Sequence, residues 1–261
     1  MSAELSDELI SGTRALADQL PGLVSKSSAC ACELSPCNFF IAWNGVLALV
    51  YSGFPPSLAA LKATLSGSAD CALTPENFGS KWPKTTLGAL ADNAPSLTLS
   101  EFEALKALCE RHSEHLSSVP FVAQQLSVVT YRARGLEAEF GPSKVAVPLP
   151  SASHAGVDRA PPVEEQTAVV RSVLAEWDTP AAYLARVNQP GSRIGSYRQA
   201  SPAGSTLVSF LANGGEHDSA RGDHALLALI RAFRDDVDTL LPGRYVWLTE
   251  ESLHMTVRAL V

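Results

Sequence analysis

The chain has 261 residues, 46% of them apolar and 18% charged, with a formal net charge of −7 at pH 7. This composition allows one large or two small domains, and it argues against a broad nucleic-acid-binding surface, which requires clustered Lys and Arg. The sequence has no run of about 18 apolar residues, no cationic leader and no regular cysteine framework, so we expect a cytoplasmic protein with reduced thiols and neither membrane nor DNA as partner.

The predicted elements alternate between helices and strands along the chain. An amphipathic helix over residues 3–20 is expected to end at Pro21, before a connector of small residues at 28–37. The elements predicted next are strands within 39–51, a helix over 56–65, a strand over 84–90, a helix over 101–115 capped by Ser100, and strands over 126–131 and 145–147. After a linker at 148–163, we expect helices over 163–177 and 180–187, strands over 194–199 and 206–211, a helix over 223–240 and a strand over 254–260.

Two segments of the sequence are nearly the same, and we call them the motif segments. The first reads LTPENF at residues 73–78 and, after five further residues, KTTLGAL at 84–90; the second reads LTEESL at 248–253 and directly HMTVRAL at 254–260. Each motif segment follows a predicted strand and a predicted helix in the same order. We therefore interpret the two halves as an internal duplication of a strand–helix–strand unit.

Each motif segment ends in a predicted strand, 84–90 or 254–260, which we call a motif strand. The spacing of residues places polar side chains on one face of each motif strand. Successive side chains of a strand point to opposite faces, so we expect His254, Thr256 and Arg258 to share one face. Lys84 and Thr86 would share the equivalent face of the other strand. Two such strands facing each other would form a small polar cleft.

Residues 244–260 resemble the motif strand of the two-histidine phosphoesterase superfamily, which includes 2′,5′ RNA ligase-like proteins and cyclic nucleotide phosphodiesterases. Its members have two His-x-Thr/Ser motifs, one in each of two lobes. The resemblance implies an α+β fold with two pseudo-symmetric lobes, each an antiparallel sheet with outer helices, around a central cleft. In this chain we expect an N-terminal helix and connector at 1–37, a first lobe at 38–150 and a second lobe at 151–261, within one bilobal domain.

The resemblance also implies a function. We expect a phosphoesterase acting on a small nucleotide-type phosphodiester, 2′,3′-cyclic or 2′,5′-linked, or on an RNA terminus, without metal or cofactor. His254 would be a general acid or base, and Thr86 and Thr256 would hold the phosphate. Lys84 replaces the other histidine of the superfamily. A lysine with an ordinary pKa is a poor base at pH 7, so Lys84 would clamp the phosphate, or act as an acid if burial lowered its pKa.

Three further residues are candidates for binding the substrate, and two of them have an alternative role. Arg258 would contact the phosphate or form a surface salt bridge, and Lys81 would add positive charge near the first motif. Tyr131 would stack on a base, or be a half-buried tyrosine of its strand. Because Lys84 departs from the superfamily pattern, a second function stays open, namely a catalytically degenerate member of the fold that serves as a ligand- or protein-binding module.

Overall fold

The computed structural model describes residues 7–67, 73, 82–138, 143–152, 156–191, 193–199, 203–213 and 220–260. Within these ranges the fold is mixed α+β with antiparallel sheets, as the sequence predicts. The described helices include none with the length and apolar character needed to cross a membrane.

The elements are numbered in chain order. The helices are α1 (Asp7–Ser27), α2 (Pro56–Gly67), α3 (Leu99–Ser113), α4 (Glu164–Leu174), α5 (Pro180–Val187), α6 (Gly195–Arg198) and α7 (Ala220–Leu240). The strands are β1 (Cys32–Leu34), β2 (Pro36–Ala42), β3 (Val46–Tyr51), β4 (Lys84–Leu90), β5 (Phe121–Ala123), β6 (Gln125–Tyr131), β7 (Ser143–Pro148), β8 (Gly204–Phe210), β9 (Tyr245–Trp247) and β10 (His254–Ala259).

One antiparallel sheet in the order β2-β3-β4-β10-β8-β6-β7 organises the molecule, with β9 paired to the end of β4 and a separate β1-β5 pair. The two motif strands β4 and β10 are therefore neighbours in the middle of this sheet, joined where Met255 pairs with Thr85. Helices α1, α2, α3 and α7 cover one face, and the main apolar core lies beneath them. Strand β6, which precedes residue 151, pairs with β8 from the other side of that boundary, and β7 pairs with β6 at the edge of the sheet.

Two boundaries of predicted helices are wrong. Helix α1 continues through Pro21 to Ser27, because Pro21 removes only its own N–H bond while Leu20 and Val24 on either side stay buried in the core. Helix α3 begins at Leu99 with Thr98 as N-cap, where Thr98 and Glu101 form a capping box, so Ser100 is not the cap.

The prediction of a strand over residues 194–199 is also wrong, because this segment forms the short helix α6. Its residues make contacts with distant parts of the chain that no local pattern reveals. Arg198 binds the buried carboxylate of Glu137, and the backbone N–H of Gly195 donates to Asp92.

Both motif strands contain a β-bulge at the same position of the motif. Leu87 is the extra residue of β4, because the residues on either side of it pair with consecutive residues of β3. Val257 is the extra residue of β10, because the residues on either side of it pair with consecutive residues of β8. A bulge interrupts the alternation of side chains, so residues before and after it do not keep the expected faces.

The bulge in β10 corrects the prediction for Arg258. Directly paired residues of antiparallel strands point to the same face, and Arg258 pairs with Leu207, which is fully buried in the main core. Arg258 is 3% exposed and therefore lies on the core face, opposite the face of His254. Ala259 follows on the side of His254 instead.

Two buried side chains, which we call the bulge cations, bind the carbonyl groups of the bulged residues. Lys62 of α2 donates from Nζ to the carbonyl oxygen of Val257 at 2.6 Å, and Arg234 of α7 donates from Nη2 to that of Leu87 at 3.0 Å. Both cations are less than a tenth exposed. Each comes from the helix that precedes one motif strand and binds the other strand, so each helix fixes the strand of the opposite half.

We expect Lys62→Met to lower the free energy of unfolding by about 1–3 kcal/mol, because the carbonyl of Val257 loses a charged donor inside the core. Arg234→Met should cost less, since the carbonyl of Leu87 also accepts from the backbone N–H of Leu248. Chemical denaturation followed by circular dichroism measures both values. Lys26→Met, at an exposed position of α1, is the control and should change stability by less than about 0.5 kcal/mol. Equal losses for Lys62→Met and Lys26→Met would contradict this account of the bulge.

Candidate active site

A polar cavity of about 410 Å³ opens over β4 and β10, on the face of the sheet opposite the main core. The structure brings five of the seven predicted site residues to its walls. These are Lys84, Thr86, Tyr131, His254 and Thr256. Arg258 lies on the other face, and Lys81 lies outside the described residues. Arg134 and Tyr197 also line the cavity and were not predicted.

The register of the two motif strands alternates basic and hydroxyl side chains across the cavity floor. Met255 pairs with Thr85 in an antiparallel arrangement, which brings Thr86 beside His254 and Thr256 beside Lys84. Cross-strand neighbours of this kind have Cβ atoms roughly 4.5–5.5 Å apart. Each titratable group therefore has a threonine hydroxyl from the opposite strand next to it.

His254 is oriented so that one ring nitrogen can accept a proton. Its Nδ1 lies 2.7 Å from the carbonyl oxygen of Ser252. A carbonyl only accepts, so Nδ1 donates and the lone pair of the neutral ring is on Nε2. The pKa of His254 is lowered to about 4, mainly by burial; the bond to Ser252 opposes this shift, and the charge of Lys144 contributes to it. His254 is therefore neutral at pH 7, with Nε2 unprotonated.

Lys84 is a stronger acid than an ordinary lysine. Burial lowers its pKa to about 8, and the positive charges of Arg134 and Lys62 act in the same direction. Its Nζ lies 4.0 Å from the centre of the Trp82 ring, a cation–π contact that favours the charged form. At pH 7 Lys84 is mostly protonated, yet it can release a proton far more readily than an exposed lysine.

The remaining polar groups give the cavity a positive character. Arg134 lies over the ring of Tyr197, 5.3 Å from its centre, and the Tyr197 hydroxyl interacts with the side chain of Thr86. Burial raises the pKa of both Tyr131 and Tyr197, so their hydroxyls stay protonated and can donate. Among the described residues of the lining there are two cations and no carboxylate. In a chain of net charge −7, such a lining favours an anionic ligand.

A buried ion pair positions Arg134 and Tyr197, two of the lining residues that the sequence did not indicate. Glu137 is fully buried and accepts from Arg198 at 2.7 and 3.0 Å and from the backbone N–H of Thr249 at 3.0 Å. It thereby connects the loop that contains Arg134, the helix that contains Tyr197 and the segment leading to β10. These contacts join residues 61 and 112 positions apart, so local sequence patterns give no signal for them.

The backbone of the same loop is strained beside the cavity. Leu136 has φ = 55°, in the left-handed region that a branched side chain rarely adopts. Its neighbour Glu137 holds it there, and the Leu136 side chain lines the cavity. Strain of this kind is found at ligand sites, where surrounding contacts over-determine the backbone.

Comparison of the chain with profiles of known protein families, with curated proteins and with solved structures finds no match. Within the described ranges, no group of three or more His, Cys, Asp and Glu side chains is arranged to bind a metal ion. What the cavity can do therefore follows from its own groups. It combines a neutral imidazole, an ammonium of lowered pKa, a guanidinium and several hydroxyls.

We expect the imidazole of His254 to titrate near pH 4, well below the ordinary pKa of about 6.5, because burial disfavours the charged ring. NMR of ¹⁵N-histidine-labelled protein measures the midpoint, and His254→Gln assigns the signal. The same spectra should show the proton on Nδ1. Lys144→Met should raise the midpoint, since it removes a positive charge. A midpoint at 6.5 would show that the ring is solvated, contrary to this description of the site.

Proposed function

We propose that the protein is a phosphoesterase that cleaves a small nucleotide-type phosphodiester, 2′,3′-cyclic or 2′,5′-linked, or the terminus of an RNA. The observation that supports this most is that one cationic cavity contains both a neutral His254 and a protonated Lys84 of lowered pKa. An unprotonated base and a protonated acid at the same pH are what phosphodiester hydrolysis requires.

In the proposed reaction, His254 Nε2 takes a proton from water as the water oxygen attacks phosphorus. The P–O bond to the leaving oxygen breaks, and the Lys84 ammonium gives that oxygen its proton. Solvent then reprotonates Lys84 and takes the proton from the imidazolium, so one water is consumed and a phosphomonoester and a free hydroxyl remain. The hydroxyls of Thr86 and Thr256 and the Arg134 guanidinium would bind the non-bridging oxygens and stabilise their charge.

A distant relationship to the two-histidine phosphoesterases is part of this proposal. We infer two related units, β2-β3-β4 with α2 and β6-β8-β10 with α7. The matching bulges and the reciprocal bulge cations support this inference. So does helix packing, because α3 packs against α7 and β2 while α1 packs against α2 and β6. In this arrangement α1 has the same position relative to the second unit as α3 has relative to the first.

A second candidate function is a binding module for a phosphorylated ligand. The observation that favours it is Lys84 itself, since a lysine is an unusual partner for a catalytic histidine. The cavity would then hold the phosphate without cleaving it. Enzymatic turnover separates the two candidates.

We expect turnover of 2′,3′-cyclic nucleotides or 2′,5′-linked dinucleotides, and a loss of about 10²–10⁴-fold in kcat for His254→Ala, because the general base is removed. Product formation on a panel of these substrates, followed by chromatography, measures it. His115→Ala, at an exposed position after α3, is the control and should retain full activity. Absence of turnover in the unaltered protein, together with binding of nucleotides to it, would favour the binding module.

The role of Lys84 can be separated from simple phosphate binding. We expect kcat/KM to fall above about pH 8, where Lys84 loses its proton. Lys84→Met should lower kcat/KM by about 10²–10⁴-fold for a substrate with a sugar hydroxyl as leaving group. The loss should be much smaller on a p-nitrophenyl phosphodiester, whose leaving group needs no proton. The same loss on both substrates would mean that Lys84 only clamps the phosphate.

A further inference from the structure

A second cavity, which we call the aromatic pocket, adjoins the polar cavity. It has a volume of about 350 Å³ and shares Trp82, Lys84, Thr86 and Tyr197 with the polar cavity. Strands β2 and β3 form its floor, and the segment after α4 together with α5 forms the opposite wall. A ligand whose phosphate contacts Lys84 and Thr86 therefore has its next chemical group at the mouth of this pocket.

The lining of the aromatic pocket differs from that of the polar cavity. It is formed largely by apolar and aromatic side chains, among them Phe40, Trp43 and Tyr183. Its one carboxylate among the described lining residues is Glu176. The two cavities together thus offer cations at one end and a hydrogen-bond acceptor within an apolar wall at the other. The complementary ligand has an anion at one end and a flat apolar group with N–H donors at the other.

Trp43 and Glu176 are fixed relative to each other. The indole Nε1 of Trp43 donates to Oε2 of Glu176 at 2.8 Å, and Arg186 donates to the same oxygen at 3.1 Å. The Arg186 guanidinium also lies over the Trp43 ring, 5.0 Å from its centre. Trp43 is nevertheless 45% exposed, so a preorganised aromatic surface remains open to a ligand. Both contacts use Oε2, so Oε1 of Glu176 keeps its capacity to accept further hydrogen bonds.

We propose that the aromatic pocket binds the base of the substrate and selects guanine. This inference rests on the proposed function, since it concerns the same substrate. A carboxylate only accepts hydrogen bonds, and guanine presents two adjacent donors, N1–H and the 2-amino group, on one edge. Uracil presents a single ring N–H, so it gains less from Glu176. Trp43 supplies a stacking surface for any base, and Glu176 supplies the preference.

The test compares guanosine and uridine 2′,3′-cyclic phosphates as substrates. We expect kcat/KM to favour guanosine by about 10-fold or more. Trp43→Ala should raise KM for the guanosine substrate by about 10-fold with kcat nearly unchanged, because stacking is lost while the reacting groups stay in place. Glu176→Gln should reduce the preference for guanosine severalfold. Glu165→Gln, on the exposed side of α4, is the matched control and should change neither quantity.

A binding measurement separates failure of this inference from failure of the proposed function. Guanosine 2′-monophosphate is titrated against tryptophan fluorescence with the unaltered protein, His254→Ala and Trp43→Ala. Equal use of guanosine and uridine substrates, with Trp43→Ala unaffected, would overturn the inference and leave the phosphoesterase function standing. Absence of turnover, with binding retained in His254→Ala and weakened in Trp43→Ala, would support the pocket and overturn the proposed catalysis.

Discussion

The binding of each bulged carbonyl by a buried cation is the constraint on which the site depends. A bulge removes a residue from the ladder, and the described register between β4 and β10 consists of Met255 with Thr85, so the strands need other contacts to stay aligned. The bulge cations provide these contacts from the core side. Lys62 and Arg234 each bind the strand of the opposite half. A shift of either strand would therefore leave a buried charge without its partner.

One of the charges that stabilise the fold also contributes to the chemistry of the site. Lys62 binds a carbonyl behind the sheet, and its charge lowers the pKa of Lys84 on the other face. Lys144 acts similarly on His254. Burial is the larger cause in both cases and lowers both pKa values, to about 8 for Lys84 and about 4 for His254. Near neutral pH Lys84 is therefore protonated and His254 is unprotonated. The two groups are chemically different, so each has one fixed role as acid or base.

Much of the site could be predicted because it depends on local rules. Alternation along β4 and β10 places Lys84, Thr86, His254 and Thr256 toward one cavity, and this alternation is visible in the sequence. The prediction for Arg258 is wrong because the bulge at Val257 leaves no local mark: an apolar residue is expected there with or without a bulge. Arg134 and Tyr197 could not be predicted either, since their positions depend on the Glu137–Arg198 ion pair between distant segments.

Lys84 and Trp82 line both cavities, so the proposed selectivity for a base and the lowered pKa of Lys84 depend on the same walls. The apolar lining also excludes water from the Lys84 ammonium, and this loss of hydration is the main reason for its lowered pKa. A lysine exposed on an open strand would bind phosphate equally well but would hold its proton near pH 10. Loss of hydration is thus what distinguishes a lysine that can donate a proton at neutral pH from one that can only attract an anion.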